Sequence, residues 1–142
     1  KWILLKDLDI SHIENILKSS SEQLLSGDSK EITVLFSDIR GFTTMSEKLS
    51  ATELKQQLNE YLTVMTQVIF DHGGTIDKYV GDMIMAFWGA PIENPKHAYG
   101  AIYTALAMWD HLAILNPEMK KHNLPEIYTR IGINTGPMNI GD

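Results

Sequence analysis

The order of hydrophobic and polar residues predicts a strand and then a long helix in the first half of the chain. Over residues 31–37, β-branched and aromatic side chains occupy both faces of an extended segment, as in a central strand of a sheet. A capping box at residues 50–53 predicts the start of a helix, which Gly73 and Gly74 end. The apolar side chains of this helix recur at helical spacing, at Leu54, Leu58, Leu62, Met65 and Ile69.

Two short strands are predicted next. Residues 75–80 and 83–88 are rich in β-branched, aromatic and other apolar side chains. Gly81 and Asp82 between them favour a type II′ hairpin, which has glycine at its first central position. The two strands are therefore predicted to be antiparallel neighbours.

A second helix and a fourth strand complete the pattern. Asn94 is predicted to be the N-cap of this helix and Pro95 its first residue, and the helix is predicted to end near Pro117. Residues 128–134 are predicted to form the fourth strand. The inward side chains of the second helix are predicted to be Ala98, Ala101, Ile102, Ala105, Trp109 and Leu112.

This order of elements predicts an α+β fold, the ferredoxin-like βαββαβ arrangement, over residues 31–142. Residues 1–30 are predicted to form an N-terminal linker helix and loop. In the ferredoxin-like sheet the first strand lies antiparallel beside the third, so the end of one meets the start of the other. Asp38 and Asp82 are therefore predicted to lie close together at one edge of the sheet. Paired carboxylates at strand ends are a common way of holding hard cations such as Mg²⁺.

Composition narrows the possible ligands and partners. The 142 residues are 44% hydrophobic, enough for one domain with a buried core, and their net charge of -6 argues against a nucleic-acid partner. The chain has no cysteine, and its five histidines lack paired ligand spacing, so a zinc site is not expected. No apolar run approaches the ~20 residues of a membrane span. A cytoplasmic location is predicted, and membrane anchoring of a longer parent protein stays open.

Three motifs give a more specific indication. They are FSDIRGFT at residues 36–43, DKYVGDMIMAF at residues 77–87 and RIGINTGP at residues 130–137. Together, in this order and on these elements, they resemble the catalytic domain of class III nucleotidyl cyclases, the adenylate and guanylate cyclases. The resemblance runs from about Glu31 to the C-terminus. It implies a lyase that forms a cyclic nucleotide and pyrophosphate from a nucleoside triphosphate.

The resemblance also implies roles for individual residues. In the family, the catalytic aspartates that match Asp38 and Asp82 bind two divalent cations, Mg²⁺ or Mn²⁺, which activate the ribose 3′-hydroxyl and neutralise charge at the α-phosphate. The backbone of Ile39 matches a further metal ligand. The positions that match contacts to the triphosphate are Gly41, Phe42 and Arg130.

Lys78 is the position that the resemblance links to the choice of base. Four residues before the second metal-binding aspartate, adenylate cyclases typically carry Lys and guanylate cyclases carry Glu. An ammonium group has only donors and suits the acceptor nitrogen N1 of adenine, whereas a carboxylate would accept from guanine. ATP is therefore the expected substrate and cyclic AMP the expected product.

Family members build each active site from two protomers, so the resemblance implies a homodimer with shared sites. It also implies an upstream sensor or regulatory domain in the parent protein. The family carries a further segment with a second base-reading residue and an Asn and Arg that stabilise the transition state. Because this segment would lie beyond Asp142, we expect the C-terminal part of the domain to be missing and the isolated chain to be inactive.

Alternatives stay open. One is a catalytically inactive, cyclase-like domain that dimerises and regulates, and another is a guanylate cyclase. A diguanylate cyclase also uses an acidic hairpin. However, VGDM at residues 80–83 lacks the Gly-Gly-Asp/Glu-Glu tip of that family, so this alternative ranks lower.

Overall fold

The computed structural model describes residues 29–139. In this part of the chain the elements are β1 (Ser29–Ile39), α1 (Phe42–Glu47), α2 (Ala51–Asp71), β2 (Thr75–Val80), β3 (Met83–Trp88), α3 (His97–Lys121) and β4 (Thr129–Asn139). The linker helix predicted within residues 1–30 lies outside the described residues. At the end of that segment, Ser29 and Lys30 belong to β1 and not to a loop. Among the described helices, none is long and apolar enough to cross a bilayer.

The strands form one antiparallel sheet in the order β2-β3-β1-β4. The predicted α+β arrangement and the antiparallel pairing of β1 with β3 are thereby confirmed. The register pairs Ser37 with Ile84 on β3 and Asp38 with Arg130 on β4. The end of β1 therefore lies between the start of β3 and the start of β4.

The two faces of the sheet differ in what covers them. One face packs against α2 and α3 and forms the main core, which includes the fully buried Leu35 and Trp88. The other face carries a smaller cluster whose residues come from the strands and from the loop after β3, and not from a helix. We call this second side the open face, and on β1 it carries Val34, Phe36 and Asp38, at alternate positions of the strand.

Elements with strong local signals have the predicted bounds. The strands β2 and β3 span the predicted residues. At the start of α2, the Ser50 hydroxyl accepts a hydrogen bond from the Glu53 N–H, and the Glu53 carboxylate accepts one from the Ser50 N–H, each at 3.1 Å. This is the predicted capping box. The hydrogen bond from the Ser50 backbone also lowers the pKa of Glu53.

The predicted bounds of the second helix are wrong at both ends. It begins at His97 because the Asn94 side chain accepts from the Lys96 N–H at 2.9 Å, in a turn that precedes the helix. It continues through Pro117 to Lys121. Proline within a helix is unfavourable, but burial of Met119 beyond it stabilises the extra turn.

β1 and β4 are longer than predicted because they pair along their whole length, from Ser29 with Asn139 to Ile39 with Thr129. β4 is an edge strand of the sheet that the described residues form, so Pro137, which has no backbone N–H to donate, is tolerated in it. The short helix α1 was not predicted.

Two side chains of α3 predicted to point inward are half exposed. Ile102 is 48% and Trp109 is 51% exposed. The buried face of the helix lies beside them and consists of Ala101, Thr104, Ala105, Met108, Leu112 and Met119. The Trp109 indole N–H donates to the Thr129 carbonyl at 3.1 Å, which holds the half-exposed ring at the start of β4.

Candidate active site

Asp38 lies next to the last residue of β1, on the open face. Its carboxylate forms a two-point ion pair with Arg130, from Nε to Oδ1 at 2.8 Å and from Nη2 to Oδ2 at 2.9 Å. The pair forms because the register of β1 and β4 sets the two residues opposite each other. The hydrogen bonds that Arg130 donates to Asp38 raise the pKa of Arg130. The side chains of Asp38 and Arg130 are 40% and 66% exposed, so a ligand can reach both.

Asp82 lies at the tip of the hairpin between β2 and β3. Gly81 before it has a φ of +59°, in the left-handed region that glycine adopts without strain and that the first central position of a type II′ turn requires. Asp82 Oδ2 accepts a hydrogen bond of 2.7 Å from the backbone N–H of Ile39. This bond brings the Asp82 carboxylate to the residue directly after Asp38. The structure therefore places the two aspartates together at one corner of the sheet, as the topology predicts.

The turn after β1 is fixed by its backbone. The Arg40 N–H donates to the Tyr128 carbonyl at 2.7 Å as the chain leaves the sheet. Gly41 then has a φ of +67° and is the N-cap of α1. A β-carbon at Gly41 would meet no heavy atom within 4 Å, so the position favours glycine for its φ and not for lack of space. Phe42 packs against the main core and anchors the turn beside Asp38.

Lys78 is exposed on β2. The pairing of β2 with β3 shifts by one residue between Ile76 and Lys78, which is a β-bulge. After the bulge Lys78 pairs with Met85, and Met85 pairs with Phe36 on β1. Paired residues share a face, so Lys78 lies on the same open face as Asp38, two strands away from it.

Residues 25–142 match the family described as the adenylate and guanylate cyclase catalytic domain. The chain belongs to this family. Adenylate cyclase 1 of Rhizobium meliloti (strain 1021) is 39% identical over 112 residues, which are 79% of this chain and 17% of that protein. The adenylate cyclase of Anabaena cylindrica is 36% identical over 133 residues, which are 91% of this chain and 24% of that protein. The chain thus spans a quarter or less of the length of these relatives.

Solved cyclase structures share the fold. The guanylyl cyclase Cya2 superposes with a TM-score of 0.76 and 40% identity over 78% of this chain and 56% of that chain. The adenylyl cyclase CyaB from P. aeruginosa superposes with a TM-score of 0.75 and 42% identity over 78% of this chain and 58% of that chain. The predicted class III cyclase fold is confirmed. Because an adenylyl and a guanylyl cyclase are similar to nearly the same degree, overall similarity does not decide between ATP and GTP.

The oxygen donors of Asp38 and Asp82 at this corner of the sheet fit a hard divalent cation. Asp82 uses Oδ2 for the Ile39 N–H, which leaves Oδ1 for a cation. Within residues 29–139, groups of three or more His, Cys, Asp or Glu side chains that could hold a metal do not occur. A cation at Asp38 and Asp82 would therefore need backbone, water or phosphate oxygens as further ligands. Mg²⁺ sites that depend on a bound nucleotide commonly combine one or two carboxylates with water and phosphate oxygens.

A buried hydrogen bond that the sequence analysis missed lies on the helix side of the sheet, below the aspartates. Tyr61 of α2 is fully buried, and its hydroxyl shares a 2.8 Å hydrogen bond with Thr129 Oγ1. Thr129 is the residue of β4 that pairs with Ile39. Tyr61 therefore ties α2 to the strand ends that carry Asp38 and Arg130. Burial raises the pKa of Tyr61 to about 12.

We expect Tyr61→Phe to lower the free energy of unfolding by about 1–3 kcal/mol, because it leaves the buried Thr129 hydroxyl without this partner. The folded pKa, about 12, lies above the ordinary value of 10.0, so the neutral hydroxyl stabilises the fold fully below pH 10. This stabilisation is lost as the pH rises from 10 to about 12. Urea unfolding of both proteins across this range measures it, and the variant should lose less stability than wild type.

Tyr128→Phe is the matched control for this prediction. Tyr128 is exposed, and its hydroxyl donates to the nearby Glu126 carboxylate at 2.7 Å. Its removal should change the free energy of unfolding by less than about 0.5 kcal/mol. Equal losses for the two substitutions would show that the buried hydroxyl of Tyr61 has no special role in stability.

Proposed function

We propose that this domain is an adenylate cyclase that converts ATP to 3′,5′-cyclic AMP and pyrophosphate by a two-metal mechanism at a dimer interface. The observation that carries the proposal is the 2.7 Å hydrogen bond from the Ile39 N–H to Asp82, which holds the Asp82 carboxylate beside Asp38. Lys78 on the same open face supports ATP as the nucleotide. The adenylate cyclases among the relatives are consistent with this choice.

Asp38, Asp82 and the backbone carbonyl of Ile39 would hold Mg²⁺ or Mn²⁺, with two cations in each active site. When bound, these cations would lower the pKa of the ribose 3′-hydroxyl and neutralise charge at the α-phosphate. The reaction joins the 3′-oxygen to the α-phosphorus, breaks the bond to the bridging oxygen, and releases pyrophosphate and the hydroxyl proton. Asp82 is already fixed by its hydrogen bond to Ile39, so this carboxylate needs little rearrangement to hold a cation.

The remaining site residues would position the nucleotide. The backbone N–H groups that follow Gly41, beginning with that of Phe42, are at the start of α1, where they have no partners within the helix and can donate to phosphate oxygens. Arg130 would contact the triphosphate through its planar guanidinium. Lys78 would donate to N1 of adenine.

The open face is the surface on which we place the dimer contact. Phe36 and Val80 are 43% and 56% exposed there, and large apolar side chains around a polar site are typical of a surface that a partner covers. A two-fold axis would generate two equivalent sites, each with metal-binding aspartates from one protomer and Lys78 from the other. A single protomer should therefore be inactive. A cytoplasmic location and an upstream sensor or regulatory domain are part of this proposal.

The test is to incubate the full-length protein with ATP or GTP and either Mg²⁺ or Mn²⁺ and to identify the products by mass spectrometry. We expect cyclic AMP from ATP, little cyclic GMP from GTP, and a dimer by light scattering. Cyclic GMP as the main product would instead assign a guanylate cyclase. A folded dimer that forms neither product would assign an inactive, cyclase-like regulatory domain.

A further inference from the structure

The two carboxylates of the proposed metal site are held in different ways. Asp82 commits one oxygen, Oδ2, to the Ile39 N–H. Asp38 commits both of its oxygens to Arg130, at 2.8 Å and 2.9 Å. A cation and a guanidinium carry the same sign of charge, and Arg130 already occupies one lone-pair site on each of the two Asp38 oxygens. Arg130, the side chain implied to bind phosphate, therefore hinders metal binding at Asp38.

We propose that Arg130 exchanges partners, holding Asp38 while the site is free of nucleotide and moving to the triphosphate when the metal–nucleotide complex binds. The inference rests on the proposed function. It assigns Arg130 a regulatory role, because the ion pair with Asp38 weakens the binding of a cation that arrives alone. Metal and nucleotide then bind cooperatively, since each removes the obstacle to the other.

The surroundings of Arg130 permit this exchange. Its side chain is 66% exposed and lies beside an open pocket of about 270 Å³ whose lining includes Phe36, Met83 and Gly132. Gly132 is two residues further along β4 on the same face, and a β-carbon there would meet no heavy atom within 4 Å. The guanidinium can therefore move without displacing a packed neighbour. It can make the same two-point contact with phosphate as with carboxylate, so no hydrogen bond is lost in the exchange.

The ion pair is exposed, so its separation costs little and the exchange can be driven by a ligand. Removing one positive charge from beside a divalent cation should strengthen metal binding by about 3- to 30-fold, depending on how fully water screens the pair. The same change should weaken binding of the triphosphate, because its cationic partner is gone. The two effects have opposite signs, which a loss of fold would not produce.

The experiment compares Arg130→Gln with Arg40→Gln in the full-length protein. Arg40 lies two residues after Asp38, is exposed and carries the same charge. Mn²⁺ binding is measured by electron paramagnetic resonance, first with the metal alone and then with 3′-deoxy-ATP, which cannot be cyclised. Circular dichroism and thermal melting establish that all three proteins are folded. We expect Arg130→Gln to bind Mn²⁺ alone about 3- to 30-fold more tightly than wild type, and Arg40→Gln to change the affinity less than twofold.

Each outcome bears on the proposal. Tighter Mn²⁺ binding together with weaker 3′-deoxy-ATP binding, in Arg130→Gln but not in Arg40→Gln, supports the exchange. Unchanged or weaker Mn²⁺ binding in Arg130→Gln overturns it, as does an equal gain in both variants. If wild type binds Mn²⁺ neither alone nor with the nucleotide, the proposed function itself is wrong. If wild type binds both ligands and only the gain is missing, the proposed function stands and the partner exchange fails.

Discussion

Asp82→Ala should lower cyclic AMP formation by the full-length protein about 10³-fold or more. Loss of one group that stabilises transition-state charge costs about 10²- to 10³-fold, and Asp82 would also hold the cations in place. The substitution removes the hydrogen bond from the Ile39 N–H as well, so we expect a small loss of stability, about 0.5–1.5 kcal/mol. Initial rates at saturating Mn²⁺ and ATP measure the first effect, and urea unfolding the second.

Asp82→Asn separates the charge from the hydrogen bond. The amide oxygen of Asn can still accept from the Ile39 N–H, so the hairpin should stay attached to the end of β1. Loss of activity in this variant, with stability close to that of wild type, would assign the effect to the missing negative charge. Asp110→Ala, on an exposed part of α3, serves as the unchanged control. An Asp82→Asn protein that turns over ATP at the wild-type rate would rule out the metal-binding role.

The hairpin that carries Asp82 could be predicted from sequence because its signals are local. Gly81 supplies the positive φ of the turn, and the strands on both sides of it have strong β propensity. The meeting of Asp38 with Asp82 could be predicted as well, because the order of the elements fixes which strands are neighbours. The start of α2 could be predicted for the same reason as the hairpin, because its capping box is a local signal that spans only four residues.

The contacts that were missed depend on register between distant segments. Arg130 and Asp38 lie 92 positions apart, and nothing near either residue shows that they stand opposite each other. Tyr61 and Thr129 are 68 positions apart. The sequence did contain a partial signal for Tyr61, because it lies four residues before the buried Met65 on α2. The second helix was predicted to end near Pro117 because proline is unfavourable within a helix. The burial of Met119, which stabilises the extra turn, cannot be read from the local sequence.

Lys78→Glu should shift the nucleotide preference of the full-length protein from ATP toward GTP. In the proposed site, position 78 would face an acceptor nitrogen in adenine or donors in guanine, and the change replaces donors with acceptors there. A hydrogen bond to a charged group contributes about 1.5–3 kcal/mol, which corresponds to about 10- to 150-fold in the ratio of kcat/KM for ATP to that for GTP. Full conversion is not expected, because one side chain reads only part of the base.

Competition between ATP and GTP in one reaction measures this ratio directly for wild type and variant. Lys78 is exposed on β2, so the substitution should leave the free energy of unfolding within about 0.5 kcal/mol of wild type. Lys55→Glu, at an exposed position of α2, makes the same change of charge away from the open face and should leave the ratio unchanged. Equal ratios in all three proteins would mean that Lys78 does not read the base. A similar shift in both variants would mean that net charge, and not a contact with adenine, sets the preference.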